Sequence, residues 1–85
     1  MWGRVIAQNS SSNSFFVTID NGDEHLWDMQ QSEDWLWDIV SDRRSRSDPS
    51  IFSLDEGLHT LRIIKRENNA QIDRILITND LNFLP

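Results

Sequence analysis

Several stretches of the chain alternate apolar and polar residues with a period of two, and others are short apolar runs between turn residues. Helical spacing, with apolar residues at i, i+3, i+4 and i+7 after a capping residue, is absent from every window. Such alternation is typical of half-buried strands, and turn-forming residues separate the runs. The predicted strands lie near 2–7, 14–20, 23–29, 35–40, 51–54, 58–66 and 71–78. Many short strands at this spacing indicate an all-β sandwich or barrel.

The clearest local signal is a hairpin turn at Asn21-Gly22. Asn-Gly tolerates the two positive φ angles of a type I′ turn, which matches the twist of the flanking strands. A two-residue loop there predicts the pairs Phe16 with Trp27, Val17 with Leu26 and Thr18 with His25. The aliphatic face is the expected core face, and it carries Phe15, Val17, Ile19 and Leu26. The mixed aromatic and polar face carries Phe16, Thr18, His25 and Trp27.

A second hairpin is predicted around the turn at 67–70, and it would pair 58–66 with 71–78. Its aliphatic residues fall on both faces, as in a central strand that is covered on both sides. The polar stretch 41–50 contains a proline and predicts a long loop. The chain has 85 residues, which is the length of a single domain with one thin core, so 1–85 is taken as one module.

Composition excludes several classes of function. The net charge of −6 argues against a nucleic-acid binder, which needs a basic face. With no cysteine, disulfides, thiolate zinc sites and thiol catalysis are excluded. The apolar runs are too short to span a membrane. Residues 1–15 lack the basic start and long apolar stretch of a signal peptide, so we expect no leader.

Charge is unevenly distributed along the chain. Residues 20–42 carry many carboxylates and no Lys or Arg, and Arg43, Arg44 and Arg46 follow directly. One interpretation is a pair of solvated surfaces that attract each other. Another is an acidic platform with a basic rim, in which Arg43 would contact a polar ligand. A third is a regulatory protein-binding domain that uses the acidic face.

Signals for catalysis are weak. His25 and His59 are the only histidines, and neither has zinc-binding spacing. We find no nucleophile elbow and no phosphate-binding glycine loop. A thin sandwich rarely forms the deep cleft that glycosidase carboxylates need. We therefore expect a protein that is not an enzyme.

The tryptophans favour binding. Trp35 and Trp37 lie two residues apart, so on a strand they share one face. Both could belong to the core, because an indole has a large apolar area. Alternatively, an indole face stacks on the C–H face of a pyranose while nearby amides and carboxylates select the hydroxyls. Trp27, next to Asp28, is a second candidate platform.

Several segments resemble parts of carbohydrate-binding modules of family 6 and their galactose-binding-like relatives. Residues 52–63, FSLDEGLHTLRI, are similar to the family's F-x-L-x-x-G-x-H-T-L-x-I passage. Arg66-Glu67 and then 72–80, IDRILITND, resemble its ending, and WGRV at 2–5 with SFFV at 14–17 and DNG at 20–22 resemble its upstream region. The resemblance covers nearly all of the chain.

This resemblance implies an antiparallel β-sandwich of jelly-roll type and non-catalytic binding of polysaccharide, as in secreted bacterial proteins. Trp35 falls near the family's platform tryptophan and Trp37 near its packing tryptophan. Gln71 stands at the position of a ligand-contacting asparagine, with Asn69 nearby. Asp73 matches an aspartate associated with a structural calcium.

The same resemblance implies strands before Trp2 that this chain lacks. We therefore expect a sandwich that another chain completes, with a homo-oligomer as the result. The alternative function is a structural module, a half-sandwich that self-associates without binding sugar. The residues that follow the strand arginine, Val5 and Ile6, are aliphatic where the family has a stacking aromatic.

Overall fold

The structure is a computed structural model that describes residues 1–45 and 48–85. Its strands are β1 (Trp2–Ala7), β2 (Ser14–Ile19), β3 (His25–Asp28), β4 (Ser32–Ile39), β5 (Leu61–Lys65) and β6 (Gln71–Leu76). The helical part of these residues is one short 3₁₀ turn, Arg43–Ser45. The all-β prediction is therefore confirmed. In the described segments, no helix is long and apolar enough to cross a membrane.

The six strands form two antiparallel sheets of three strands each. In the first sheet, β1 lies between β4 and β6, and in the second, β2 lies between β3 and β5. The strand predicted at 51–54 is wrong, because this segment has no regular structure. Its Ile51 and Leu54 are exposed, and Phe52 instead packs against the core and the His25 ring.

The central strand β1 shows strict alternation. Gly3, Val5 and Ala7 are buried, and the residues between them are half-buried on the opposite face. The core combines both sheets, because Val5 and Ala7 pack in one cluster with Phe15, Val17 and Trp27. Residues from the connections complete this cluster: Met29, Val40 and Ala70. The core prediction is confirmed for Phe15, Val17 and Ile19, whereas Leu26 is only half-buried.

The register predicted for the first hairpin is wrong by one residue. Phe15 pairs with Trp27 and Phe16 with Leu26, so Trp27 replaces Leu26 on the core face. The positive φ of this turn is at Asp20 (55°) instead of at Asn21-Gly22. Asp20 is held there by long-range contacts, since its backbone N–H donates to the carbonyl of Thr60 at 2.7 Å. A one-residue shift moves every side chain of the strand to the other face.

The second predicted hairpin is also wrong. β5 pairs with β2 and β6 pairs with β1, so these consecutive strands belong to different sheets. Both are edge strands, which corrects the prediction of a central strand. The Glu67 carboxylate accepts a hydrogen bond from Ser14 Oγ at 2.6 Å and ties the connection to the start of β2. Asn69, with φ 68°, lies in the turn that leads to β6.

Candidate binding site

A cavity of about 430 Å³ is lined by residues of both sheets, from β2, β4, β5 and β6, and by Ala70. Trp35, 40% exposed, contributes its indole to the wall. The other lining residues are Phe15, Ile63, Lys65, Ala70, Gln71 and Ile72. The site is therefore mainly apolar, with one amide and one ammonium group.

An irregularity in the first sheet places Trp35. Ala7 pairs with Ser32 and Val5 pairs with Leu36, so residues 33–35 of β4 lie opposite Ile6 alone. Leu36 packs against the core, and by alternation Trp35 and Trp37 belong to the other face of the strand. Trp37 is half-buried and is not part of the core cluster. The indole of Trp35 is thus presented at the end of the sheet.

Arg4 and Asp73 hold the indole of Trp35 from one side. The guanidinium carbon of Arg4 lies 5.3 Å from the ring centroid of Trp35, a cation–π geometry. Arg4 Nε donates to Asp73 Oδ1 at 2.9 Å, and Arg4 Nη2 donates to Asp73 Oδ2. These hydrogen bonds lower the pKa of Asp73. Such a bidentate ion pair fixes the plane of the guanidinium group as well as its position.

Asp73 therefore has a structural partner, Arg4, and both of its carboxylate oxygens are used in that pair. It occupies the extra position in β6 between Ile72, which pairs with Val5, and Arg74, which pairs with Arg4. Within residues 1–45 and 48–85, no group of three or more His, Cys, Asp or Glu is arranged to hold a metal ion. The calcium association of Asp73 stays a prediction from the resemblance.

The remaining predicted ligand residues are divided between two places. Gln71 lines the same cavity as Trp35, and Asn69 is exposed in the adjoining turn but is not part of the lining. Arg43 lies in a second cavity of about 460 Å³. That cavity is lined by Ser10, Asn13, Asp28, Met29, Gln30, Asp38, Ile39, Ser41 and Arg43. The structure thus brings Trp35 and Gln71 together, and it places Arg43 elsewhere.

Ionic contacts dominate the second cavity. Arg43 donates from Nε and Nη2 to the two oxygens of Asp28, at 2.7 and 2.8 Å. Burial raises the pKa of Asp38, although Trp27 Nε1 donates to its Oδ2 at 2.9 Å. Trp27 itself is fully buried, so neither of its ring faces is available for stacking. On the face opposite the core, Leu26 instead of Trp27 pairs with Phe16, which corrects the expected position of Trp27.

Much of the acidic third of the chain is paired internally. Hydrogen bonds from Arg44 lower the pKa of Asp42 to about 2, and Asp28 is paired with Arg43. Asp20 accepts from the backbone N–H of Thr60 at 2.8 Å. These contacts favour the first interpretation, in which the acidic and basic surfaces attract each other, and they speak against an acidic platform that is open to a ligand. Arg46, the third residue of the predicted basic rim, lies outside the described residues.

The two histidines line neither cavity, and each forms hydrogen bonds with residues of the connections. His25 Nδ1 lies 2.9 Å from Ser50 Oγ. His59 Nδ1 lies 2.7 Å from Asp20 Oδ2, and its Nε2 lies 2.6 Å from the carbonyl oxygen of Asp55. These hydrogen bonds, first that with Asp20, raise the pKa of His59. The carboxylate of Asp20 and the carbonyl of Asp55 both accept hydrogen bonds, so the imidazolium form of His59, which has an N–H on each ring nitrogen, can donate to both.

Lys65 is the residue of this site that the sequence analysis missed. It pairs with Phe15 in the register of β2 and β5, at the cavity end of both strands. Its signal in the sequence is alternation, because Lys65 falls on the same strand face as Ile63.

No protein-family model, curated protein or solved structure matches this chain.

Proposed function

We propose that the chain is a non-catalytic carbohydrate-binding module that holds a polysaccharide against Trp35. The observation that carries this proposal is an exposed indole in the wall of a cavity that also contains Gln71. The volume of about 430 Å³ lies within the range typical of small-ligand sites, about 300–1,000 Å³. The resemblance to family 6 modules supports the same assignment for Trp35 and Gln71.

The chemistry of the site suits a pyranose. Arg4 covers part of the Trp35 ring, and the cavity side of the indole offers an apolar surface for sugar C–H groups. The amide of Gln71 has donors and an acceptor, so it can bond a hydroxyl in either role. Because Arg4 is held by Asp73, the ring that it contacts has little freedom to lose when a ligand binds.

For the fold, we propose a β-sandwich of the jelly-roll, galactose-binding-like type. Both three-stranded sheets contribute side chains to one core cluster, as the inner faces of a sandwich do. Sheets of three strands are small for this architecture, which typically has more strands. Under this proposal, a second chain would add the further strands that such a sandwich contains.

The test compares two tryptophans on one strand. Soluble polysaccharides are titrated into the wild type, Trp35→Ala and Trp37→Ala by isothermal calorimetry, and each variant is melted by circular dichroism. We expect Trp35→Ala to weaken binding by about tenfold or more, since stacking on an indole is worth about 1–3 kcal/mol for a nucleic-acid base and we take a sugar to be comparable. Trp37 does not line the cavity, so Trp37→Ala is the control and should retain the affinity.

Two outcomes would contradict this proposal. One is that no polysaccharide in a panel of xylans, glucans, galactans and galacturonans binds the folded wild type. The other is that Trp35→Ala and Trp37→Ala reduce affinity equally while both remain folded, which would remove Trp35 from its assigned role.

A second candidate function is self-association, and a row of apolar side chains supports it. In the second sheet Phe16 pairs with both Leu26 and Ile64, and this row faces away from the buried Phe15 and Val17. Ile64 is 47% exposed and lies on an edge strand, where unpaired backbone groups can add strands of another chain. A symmetric dimer is the simplest closure.

Light scattering tests this second function. We expect a dimer mass at micromolar concentration for the wild type and a monomer mass for Ile64→Lys, because the added charge cannot be buried in an apolar interface. A wild-type monomer with a cooperative thermal transition would exclude self-association as the function.

A further inference from the structure

We infer that the Trp35 cavity selects an acidic sugar unit, one that carries a carboxylate or a sulfate ester, through Lys65. This inference rests on the proposed function and adds a ligand class to it. Lys65 supplies the only charged side chain in the lining that the structure describes. The cavity is therefore cationic, although the chain as a whole has a net charge of −6.

The structure gives Lys65 no acidic partner among residues 1–45 and 48–85. Within the described part of the chain, Lys65 forms no ion pair, whereas Arg4, Arg43 and Arg44 each bond to an aspartate. Lys65 is also the only lysine in the sequence. An ammonium group at a cavity wall, free of a carboxylate, is available to an anionic ligand.

The position of Lys65 relative to Trp35 and Gln71 fits one sugar unit with three kinds of contact. Trp35 offers a ring face, Gln71 offers an amide for hydroxyls, and Lys65 offers three N–H donors for anionic oxygens. In a uronic acid the carboxylate projects from the pyranose ring, so stacking and the charged contact occur together. Charge-assisted hydrogen bonds of this kind are roughly twice as strong as neutral ones.

The overall negative charge of the chain repels an acidic polymer at long range, so the measured affinity depends on ionic strength. At physiological salt the Debye length is about 8 Å, and distant charges are largely screened. The ammonium of Lys65 would contact the ligand directly, within that length. Binding should therefore be measured at about 0.15 M NaCl, where the local contact decides the affinity.

Matched polymers give the test. Polygalacturonate is compared with its methyl ester for the carboxylate, and carrageenan is compared with agarose for the sulfate ester, by calorimetry. We expect one anionic polymer to bind about tenfold more tightly than its neutral match. Lys65→Gln should abolish this preference, and Lys65→Arg should retain it.

Arg62→Gln is the matched control, because Arg62 lies on the same strand, is exposed, and does not line the cavity. It removes the same unit of charge. Reductive methylation with ¹³C-formaldehyde gives a second readout, since it labels the single lysine and the N-terminal amine, which give separate signals, and preserves their charge. The lysine methyl signal should shift when the preferred anionic polymer is added.

The outcomes separate this inference from the proposed function. If neutral and anionic polymers bind equally, the inference is overturned and carbohydrate binding stands. The same holds if Arg62→Gln and Lys65→Gln have equal effects, because net charge would then explain both. If no polymer binds at all, the proposed function fails together with the inference.

Discussion

Gly3 tests the packing between the two sheets, and its replacement by alanine should destabilise the protein. A Cβ atom at Gly3 would lie 2.5 Å from Cη2 of Trp27, 3.0 Å from Cδ1 of Ile72 and 3.3 Å from Cζ3 of Trp27. Favourable carbon–carbon contacts are about 3.5–4.0 Å. Trp27 cannot easily move away, because its side chain is fully buried. Its Nε1 donates a hydrogen bond to Asp38, and its ring packs against that of Phe15 with the ring centroids 6.2 Å apart.

The expected loss is about 2 kcal/mol in the free energy of unfolding. Overpacking of a core costs about 1–3 kcal/mol, and the 2.5 Å contact places this site at the upper end. Alanine in a strand gains about 0.5–1 kcal/mol over glycine, which reduces the net loss. For a domain of this size, 2 kcal/mol corresponds to a decrease in Tm of about 8–16 °C.

A double-mutant cycle identifies the cause. Urea denaturation, followed by circular dichroism, gives the stability of the wild type, Gly3→Ala, Trp27→Phe and the double variant. Phenylalanine lacks the outer part of the indole, so Gly3→Ala should cost less than about 0.5 kcal/mol in the Trp27→Phe background. The difference between this cost and the cost in the wild type is the coupling energy of the two residues, and a value of about 0.5–3 kcal/mol is typical of residues in contact. If Gly3→Ala has the same cost in both backgrounds, the contact does not limit stability at this position. If Gly3→Ala stabilises the wild type, the packing that the structure shows there is wrong.

Two further predictions concern ionic contacts. Because His59 has a raised pKa, its contact with Asp20 stabilises the fold fully below the ordinary histidine pKa of about 6.5, and the contribution is lost as pH rises through the raised value. Since the pKa of Asp20 is lowered, its own contribution is present above about pH 3.9 and is lost as pH falls through the lowered value. We expect Tm to fall between pH 6 and 9 by more in the wild type than in His59→Gln, and equal decreases would refute this. Asp73→Asn should lower Tm by breaking the pair with Arg4 and should not abolish polysaccharide binding, as thermal melts and calorimetry would show. If calcium raises the Tm of the wild type and not that of Asp73→Asn, Asp73 holds a metal ion instead.

Most of the strands could be predicted from the sequence, because alternation with period two is a local property of a strand. The predicted strand at 2–7 agrees with β1, the strand predicted at 71–78 is observed over 71–76, and the predicted burial of Val17 is confirmed. The candidate site was predicted in part on other grounds. Trp35 was selected by its indole chemistry and by the family resemblance, Gln71 was selected by the resemblance, and the structure places both at one cavity.

Strand pairing could not be predicted in this way, because it depends on contacts between residues that are distant in the chain. The backbone N–H of Asp20 donates to the carbonyl of distant Thr60, and the positive φ lies at Asp20 instead of at Asn21-Gly22. The register then changes by one residue, and Trp27 becomes part of the core instead of a binding surface. A local turn signal contains no information about a contact 40 residues away.

Residue types and alternation thus determined the all-β class, the strand positions and the chemical groups available for binding. Tertiary structure decided which strands meet, and through this it decided which of those groups share a cavity. Glu67 bonds to Ser14 and the chain crosses from one sheet to the other, so Lys65 and Gln71 lie at the same cavity although β5 and β6 do not pair. The physical reason is that side-chain periodicity is set within a strand, whereas register and sheet membership are set by long-range hydrogen bonds and by the burial that they permit.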